Sequence, residues 1–150
     1  MTQFVRATVA DVDAVTALTR AAYGPWVALI GREPLPMVVD QAEAIRHHLV
    51  DLWHDDGVLV ALIEMVPLVD HLLIENVAVM PGQQGKGLGH RLMDHAEATA
   101  RRLNLPEIRL YTNAAFAANL AFYQALGYVE TRRAAFRGGH MVYFSKRSGA

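Results

Sequence analysis

A glycine-rich segment in the middle of the chain carries residues whose type and spacing can do chemistry. Gly85, Gly87 and Gly89 alternate along Gln84–Gly89, directly before a stretch in which apolar residues recur at helical spacing. Because glycine has no side chain, a ligand can approach the main chain there, and the first N–H groups of a helix have no partner within it. Such a place binds an anion, above all a diphosphate. The alternative is that the glycines serve only a tight turn between a strand and a helix.

Two other phosphate-binding motifs do not match this segment. A Walker loop requires Ser or Thr after its lysine, whereas Lys86 is followed by Gly87. A dinucleotide fingerprint has the spacing Gly-x-Gly-x-x-Gly in an early parallel unit, and here Gly-x-Gly-x-Gly follows strands that are predicted to be antiparallel. A nucleotide-binding protein that holds a different diphosphate therefore stays an alternative that the motifs disfavour.

A single carboxylate interrupts the apolar run that precedes the glycine-rich segment. Glu75 lies within 72–77, a run that predicts a largely buried strand. A buried carboxylate is costly unless it is paired, and the loss of solvent raises its pKa towards the range of a useful base. Strand alternation predicts that Glu75 shares a face with Val77 and Val79. Glu75 is thus a candidate catalytic base, and the alternative is a surface-facing or salt-bridged residue.

The composition excludes several classes of protein. Lysine plus arginine total 14 against 15 acidic residues, so the formal net charge is -1 and no overall positive field attracts nucleic acid. The absence of cysteine excludes disulfides, thiolate metal sites and a covalent acyl-cysteine intermediate. The seven histidines show no metal-ligand spacing, and we predict no metal site. No apolar stretch is long enough to cross a membrane, and we expect a soluble, cytoplasmic protein without a membrane partner.

The order of the predicted elements indicates an α+β fold with a mixed, mostly antiparallel sheet. We expect one domain over residues 1–150, with about six or seven strands and about four helices. Gly24 and Pro25 are predicted to end the first helix, and 26–39 to form a loop. The predicted strands are 4–6, 50–54, 58–65, 71–79, 107–112, 128–132 and 140–146, and the helices begin at Thr8, Asp40, Leu88 and Ala115.

Two separated motifs resemble those of the GNAT superfamily of acetyltransferases. The segment 84–89 is similar to the family's Gln/Arg-x-x-Gly-x-Gly/Ala loop, and Val77-Ala78-Val79 precedes it where the family has its central strand. The segment 119–128 resembles the family's Asn, Tyr and Gly-Phe/Tyr signature. Phe116 departs from the pattern, since the family often has a further Asn there. The similarity covers most of the chain and implies a GNAT-like domain whose central strands splay apart.

The resemblance implies a role for each of the matching residues. The main chain of Val77 and Val79 would pair with the pantetheine arm of acetyl-coenzyme A, and the Val79 N–H would polarise the thioester carbonyl. Tyr123 would be the general acid that protonates the leaving thiolate, and Asn119 would bond to the pantetheine. Judged by its apolar neighbours alone, Tyr123 would instead be a core residue. The diphosphate would be held by the backbone N–H groups of Gln84, Gly85, Lys86, Gly87, Leu88 and Gly89.

The resemblance therefore implies an N-acetyltransferase that moves the acetyl group of acetyl-coenzyme A to a primary amine by direct attack. The alternative is a regulatory or sensor module that binds acyl-coenzyme A without turnover. The acceptor, a small-molecule or peptide amine, is expected between the stretch 26–37 and the last hairpin. A basic cluster near that hairpin is interpreted as solvated surface, or else as contacting an acidic substrate or the 3′-phosphate of coenzyme A: Arg132, Arg133 and Arg137. The apolar composition is also compatible with a homodimer.

Overall fold

The computed structural model describes residues 3–149, so residues 1, 2 and 150 of the predicted domain lie outside the described residues. Strands and helices are mixed along the chain. The strands are β1 (Val5–Arg6), β2 (Leu49–Asp55), β3 (Val58–Pro67), β4 (Leu72–Val79), β5 (Glu107–Asn113), β6 (Val129–Phe136) and β7 (Gly139–Arg147). The helices are α1 (Val12–Ile30), α2 (Leu35–Val38), α3 (Gln41–His47), α4 (Leu88–Arg102) and α5 (Ala117–Ala125).

The described strands form one seven-stranded sheet in the order β1-β2-β3-β4-β5-β7-β6. Neighbouring strands are antiparallel except for the central pair β4 and β5, which is parallel. The predicted α+β fold with a mixed, mostly antiparallel sheet is confirmed. Five helices are present in the described part of the chain, where about four were expected.

Helices cover both faces of this sheet. One apolar cluster packs α4 and α5 against the sheet and includes Leu92, Met93 and Phe144, each at most 1% exposed. A second cluster packs α1 and α3 on the opposite face and includes the fully buried Val15 and Leu62. Burial of each such side chain contributes roughly 1.5–3 kcal/mol relative to exposure. The central strand β4 is therefore fixed from both sides.

Helix α1 is longer than the sequence predicts. The prediction that Gly24 and Pro25 end it is wrong, because α1 continues to Gly31, whose φ of 74° provides a left-handed cap. Pro25 removes one helical hydrogen bond. The residues beyond it gain tertiary contacts in return, since the rings of Trp26 and Phe116 lie 4.4 Å apart. As a result α1 reaches the loop that precedes α5.

The stretch 26–39 is only partly the loop that was predicted, because it contains the end of α1 and the short helix α2. Gln41, at the start of α3, is buried, and its Nε2 donates to the Pro36 carbonyl over 3.0 Å. Asp40 caps α3 as its position predicted, since its Oδ1 accepts from the Ala42 N–H over 2.9 Å. These bonds hold the segment in place as one wall of the site described next.

Candidate active site

Strands β4 and β5 separate in the middle of the sheet. They pair only where 72–74 lie beside 108–110. Beyond these residues β4 keeps its pairing with β3, while its other edge has no strand partner. The predicted splay of the central strands is therefore present, and it leaves main-chain groups of β4 facing a gap.

The main chain of Val77 and Val79 faces this gap. The Met80 N–H donates to the Val60 carbonyl of β3 over 2.8 Å. Because hydrogen bonding alternates along an antiparallel pair, residues 76 and 78 also bond to β3, and Val77 and Val79 are directed to the other side. Their N–H groups are thus placed as the role predicted for them requires.

The carbonyl groups at this edge already have partners. The Tyr23 hydroxyl of α1 donates to the Val77 carbonyl over 3.0 Å. The Gln84 Nε2 reaches back to the Val79 carbonyl over 3.4 Å. Gln84 thus contacts β4 through its side chain, a role beyond the backbone contact that was predicted for it. A ligand in the gap would find the N–H groups of this edge less engaged than its carbonyls.

The glycine-rich segment forms a loop that ends at the start of α4. Gly85 and Gly87 have φ values of 82° and 80°, in the left-handed region that favours glycine. A Cβ at either position would meet no atom within 4 Å, so the surface of the loop is open. Gly87 is the N-terminal cap of α4 and supplies no side-chain bond to the first turn. This geometry suits an anion at the start of the helix.

The remaining residues of the loop have other surroundings. A Cβ on Gly89 would lie 3.2 Å from Cζ of Phe122, so this glycine permits the close approach of α4 to α5. The Leu88 side chain packs against the cluster beneath α4. Lys86 is exposed, and its Nζ donates to Oε1 of Gln83 over 3.3 Å.

Tyr123 lies in the core on the α4 side of the sheet, between the rings of Phe122, Tyr128 and Phe144. Its side chain makes no hydrogen bond with any described residue, but its hydroxyl is not fully enclosed. Desolvation raises the pKa of Tyr123 to about 12, so the hydroxyl is protonated at neutral pH. Tyr123 is therefore a core residue that keeps a hydrogen-bond donor.

Asn119 lies one turn before Tyr123 on α5. Its Nδ2 donates to Oγ1 of Thr112 over 3.3 Å. Burial is the main cause that raises the pKa of Tyr23, whose hydroxyl bonds to the Val77 carbonyl. The structure thus ties Asn119 to the end of β5, while Tyr123 packs in the core.

Glu75 is the extra residue of a β-bulge in β4. Glu64 of β3 pairs with Asn76 and Met65 pairs with Ile74, which leaves Glu75 without an opposite residue. The prediction that Glu75 shares a face with Val77 and Val79 is wrong. Those valines pack against the cluster beneath α4, whereas Glu75 turns to the α1 face. A bulge bends its strand and re-aims side chains in this way.

A cavity of about 550 Å³ lies on the α1 face, beside the open end of β4. Its volume is in the range of small-molecule sites. Glu64, Glu75, Asn76 and Tyr111 form its polar wall, next to the gap. The opposite walls come from 29–39 and from 136–139 of the last hairpin, the two regions that were expected to bound the acceptor.

The two carboxylates of the polar wall are each paired. The Tyr111 hydroxyl donates to Oε2 of Glu75 over 2.7 Å. Nδ1 of His48 lies 2.5 Å from Oε2 of Glu64. Burial raises the pKa of Glu64, His48 opposes that rise, and the neighbouring charge of Glu75 adds to it. Burial and the bond to Glu75 likewise raise the pKa of Tyr111. The wall therefore carries negative charge, and two of its groups, Glu64 and Tyr111, have raised pKa values.

Asn76 adds an acceptor to this wall. The residue is 4% exposed, and its Nδ2 donates to Oγ1 of Thr19 over a long 3.4 Å. Its Oδ1 is enclosed and has no partner among residues 3–149. A buried carbonyl oxygen without a partner is uncommon in folded proteins and calls for an explanation. A donor group in the cavity would provide one.

Several residues of this wall were not predicted from the sequence. Glu64 carries the same signal as Glu75, a carboxylate inside an apolar strand, and that signal could have found it. Tyr23 and Tyr111 carry no comparable signal, because their positions depend on how α1 and β5 pack around the bulge.

In the described part of the chain, no group of three or more His, Cys, Asp or Glu residues could hold a metal ion. No described helix combines the length and apolar character needed to span a membrane.

Comparison with known proteins accounts for this combination of splayed strands, glycine loop and cavity. A model of the Acetyltransferase (GNAT) family matches residues 14–128, well over half of the chain. The chain belongs to the GNAT acetyltransferase family. The resemblance that the two motifs suggested is confirmed, and this GNAT protein is an enzyme of acetyl-coenzyme A-dependent acetyl transfer.

Solved structures with the GNAT fold include several acetyltransferases. PaiA N-acetyltransferase from Thermoplasma acidophilum, in complex with coenzyme A, is 15% identical, with a TM-score of 0.81 over 98% of this chain and 99% of that chain. The ribosomal-protein-S18-alanine N-acetyltransferase from Escherichia coli is 18% identical, with a TM-score of 0.78 over 98% and 94%. The putative acetyltransferase YncA from Salmonella typhimurium, with its cofactor acetyl-CoA, is 18% identical, with a TM-score of 0.73 over 99% and 94%. No curated protein matches the sequence.

Proposed function

We propose that this GNAT enzyme transfers the acetyl group of acetyl-coenzyme A to a primary amine held in the cavity, by direct attack on the thioester. One observation carries the proposal. Glu64 and Glu75 present two carboxylates on one wall, beside the gap between β4 and β5. An alkyl ammonium has three N–H donors and a positive charge, and it matches this wall in both respects.

The wall also supplies a base. Alkyl ammonium groups titrate near ~10.4, so an amine arrives protonated at neutral pH and must lose a proton before it can attack. Glu75 lies at the bulge, next to the open edge of β4, and accepts that proton directly or through one water. The bond from Tyr111 holds the Glu75 carboxylate in place. Glu64 and His48 continue the polar contacts from the wall towards the surface, since the His48 side chain is 33% exposed.

The residues around the gap fit coenzyme A. The N–H of Val77 would bond to the pantetheine arm, as would Asn119, and the N–H of Val79 would donate to the thioester carbonyl. The loop 84–89 would hold the diphosphate, since α4 begins directly after Gly87 without a side-chain cap. Bound in this way, acetyl-coenzyme A supplies the activated acetyl group. The absence of cysteine supports direct attack by the amine, because no thiol is present to carry the acetyl group.

Tyr123 would stabilise the thiolate that leaves. Its pKa of about 12 keeps the hydroxyl in the donor form. Thiols titrate near ~8.5, so complete transfer of the phenol proton to a thiolate is uphill. Tyr123 therefore acts mainly through a hydrogen bond to the developing charge, and solvent supplies the proton afterwards.

Release of free thiol from acetyl-coenzyme A tests this proposal. Primary amines are compared with tertiary amines of the same carbon skeleton, which have no N–H to lose after attack. We expect thiol release that depends on the enzyme and on the primary amine, with an equal amount of N-acetylated product. Tight binding of acetyl-coenzyme A without thiol release for any amine would indicate a sensor instead, and it would refute the proposed transfer.

A further inference from the structure

The charged residues that line the cavity divide into a paired set and an unpaired set. They are Arg32, Glu33, His48, Glu64, Glu75 and Arg137. Each acid has a partner: Glu33 bonds to Arg20 over 2.8 Å, and the other two bond as described above. The two arginines have no acidic partner among residues 3–149. Within residues 3–149, the Arg137 guanidinium lies 5.2 Å from the centre of the Phe136 ring, and Arg32 forms no ion pair or hydrogen bond.

The fold brings these two arginines together at the rim of the cavity. Arg32 directly follows Gly31, the cap of α1, and is exposed. Arg137 lies in the two-residue turn between β6 and β7, with a φ of 48° that is unusual for a residue with a side chain. Nη2 of Arg32 lies 3.9 Å from the position that a Cβ on Gly138 would occupy. Arg32 therefore lies beside the turn that carries Arg137, and both arginines line the cavity.

The other arginines of the predicted basic cluster are engaged elsewhere. The Arg132 guanidinium lies 3.8 Å from the centre of the Tyr143 ring. Nε of Arg133 forms a salt bridge to Glu130 over 2.9 Å. Arg137 alone of the three lines the cavity in the described structure. All three arginines are exposed, as the interpretation of the cluster as solvated surface expects, but Arg137 also lines the cavity.

We propose that the acceptor is an amine that also carries a carboxylate, and that Arg32 and Arg137 bind this carboxylate. The inference rests on the proposed function, since it takes the amine to lie at Glu75. The cavity is then negative at its polar wall and positive at its rim. A guanidinium binds a carboxylate through two parallel N–H bonds. Apolar residues between the two ends, among them Leu29 and Pro36, suit an aliphatic spacer.

Matched pairs of amines test this inference. The acceptors are aminobutyrate, aminovalerate and aminohexanoate, each compared with its carboxamide, because a distant carboxylate changes the amine pKa little. Transfer is measured as kcat/KM from thiol release. Binding is measured by calorimetry in the presence of coenzyme A, which has no acetyl group to transfer. The proteins are wild type, Arg32→Gln and Arg137→Gln, with Arg102→Gln at the end of α4 as a control that removes the same charge away from the cavity.

We expect wild type to prefer one acid over its amide by about tenfold, in binding and in kcat/KM, through two partly exposed charge pairs. Arg32→Gln and Arg137→Gln should each lower that preference about threefold, whereas Arg102→Gln should keep it. Equal binding of acid and amide at every length, or a preference that survives both cavity variants, would overturn the inference. Equal transfer to acids and amides would refute the carboxylate site but support the proposed acetyl transfer. Preferential binding of acids without any transfer would instead support the arginine site and refute the proposed function.

Discussion

The glycine-rich loop allows a prediction whose size follows from backbone geometry. Gly87→Ala adds a methyl group that meets no atom within 4 Å, so steric contact contributes nothing to its effect. The φ of 80° is the whole cost, because the left-handed region disfavours a residue with a Cβ by roughly 1–2 kcal/mol. For a chain of 150 residues, each 1 kcal/mol lowers the melting temperature by roughly 2–4 °C. Gly82→Ala is the matched control, since Gly82 has open space around it and no positive φ.

The assay is thermal unfolding of wild type, Gly82→Ala and Gly87→Ala, with and without acetyl-coenzyme A. Ligand at 100 times its dissociation constant stabilises wild type by ~2.7 kcal/mol. We expect Gly82→Ala to keep both the stability and this gain. Gly87→Ala should lower the melting temperature without ligand. It should also lose part of the gain, because a loop that relaxes to negative φ turns its N–H groups away from the anion.

Two results would refute this reasoning. Equal melting temperatures for Gly82→Ala and Gly87→Ala would mean that the left-handed backbone at Gly87 is not required. A destabilised Gly87→Ala that keeps the full gain from acetyl-coenzyme A would mean that the loop serves only the turn between β4 and α4.

Two further predictions concern Tyr123 and Glu107. Tyr123→Phe keeps the ring and removes the hydroxyl, so kcat should fall by about 10² while acetyl-coenzyme A affinity, measured by calorimetry, stays within about twofold; an unchanged kcat would assign Tyr123 to the core alone. Bonds from Arg109 and then Ser145 lower the pKa of Glu107 from 4.5 to about 2. The stability from this group is therefore present above pH 4.5 and is lost as the pH falls towards 2. The unfolding free energy of Glu107→Gln should be lower than that of wild type at neutral pH, with the difference shrinking across that window; a difference independent of pH would contradict the assignment.

Local signals in the sequence identified the parts of the site that depend on local structure. The loop 84–89 and helix α4 follow from glycine placement and from helical spacing, and both lie where they were predicted. The hairpin of β2 and β3 likewise follows from a turn between two apolar runs. The helix predicted to begin at Ala115 is also present, as α5 at Ala117–Ala125.

The cavity could not be predicted, because it depends on a change of register. The bulge at Glu75 is set by how β3 pairs with β4, and no residue type near it signals an extra residue. Without the bulge, alternation assigns Glu75 to the wrong face. The extension of α1 past Pro25 is also a tertiary effect, since contacts such as that of Trp26 with Phe116 outweigh a local helix breaker. Arg32 reaches the site only through that extension.

The pH dependence of acetyl transfer shows whether the carboxylates of the cavity wall deprotonate the amine. Wild type and Glu75→Gln are compared with the same amine, so that the titration of the substrate is common to both. Burial and the charge of Glu75 raise the pKa of Glu64 above 4.5, so Glu64 loses its negative charge at a higher pH than an ordinary glutamate would. In wild type the rate should therefore rise with pH as Glu64 ionises.

Glu75→Gln keeps the shape of the side chain and removes its charge. We expect the rate to fall by about 10², and the remaining acidic limb to move to lower pH because Glu64 no longer faces a second carboxylate. The affinity for acetyl-coenzyme A should stay the same, since Glu75 lies on the α1 face and not among the residues assigned to that ligand. Profiles with the same plateau and the same apparent pKa in both proteins would contradict the account, and Glu75 would then be a structural residue of the bulge.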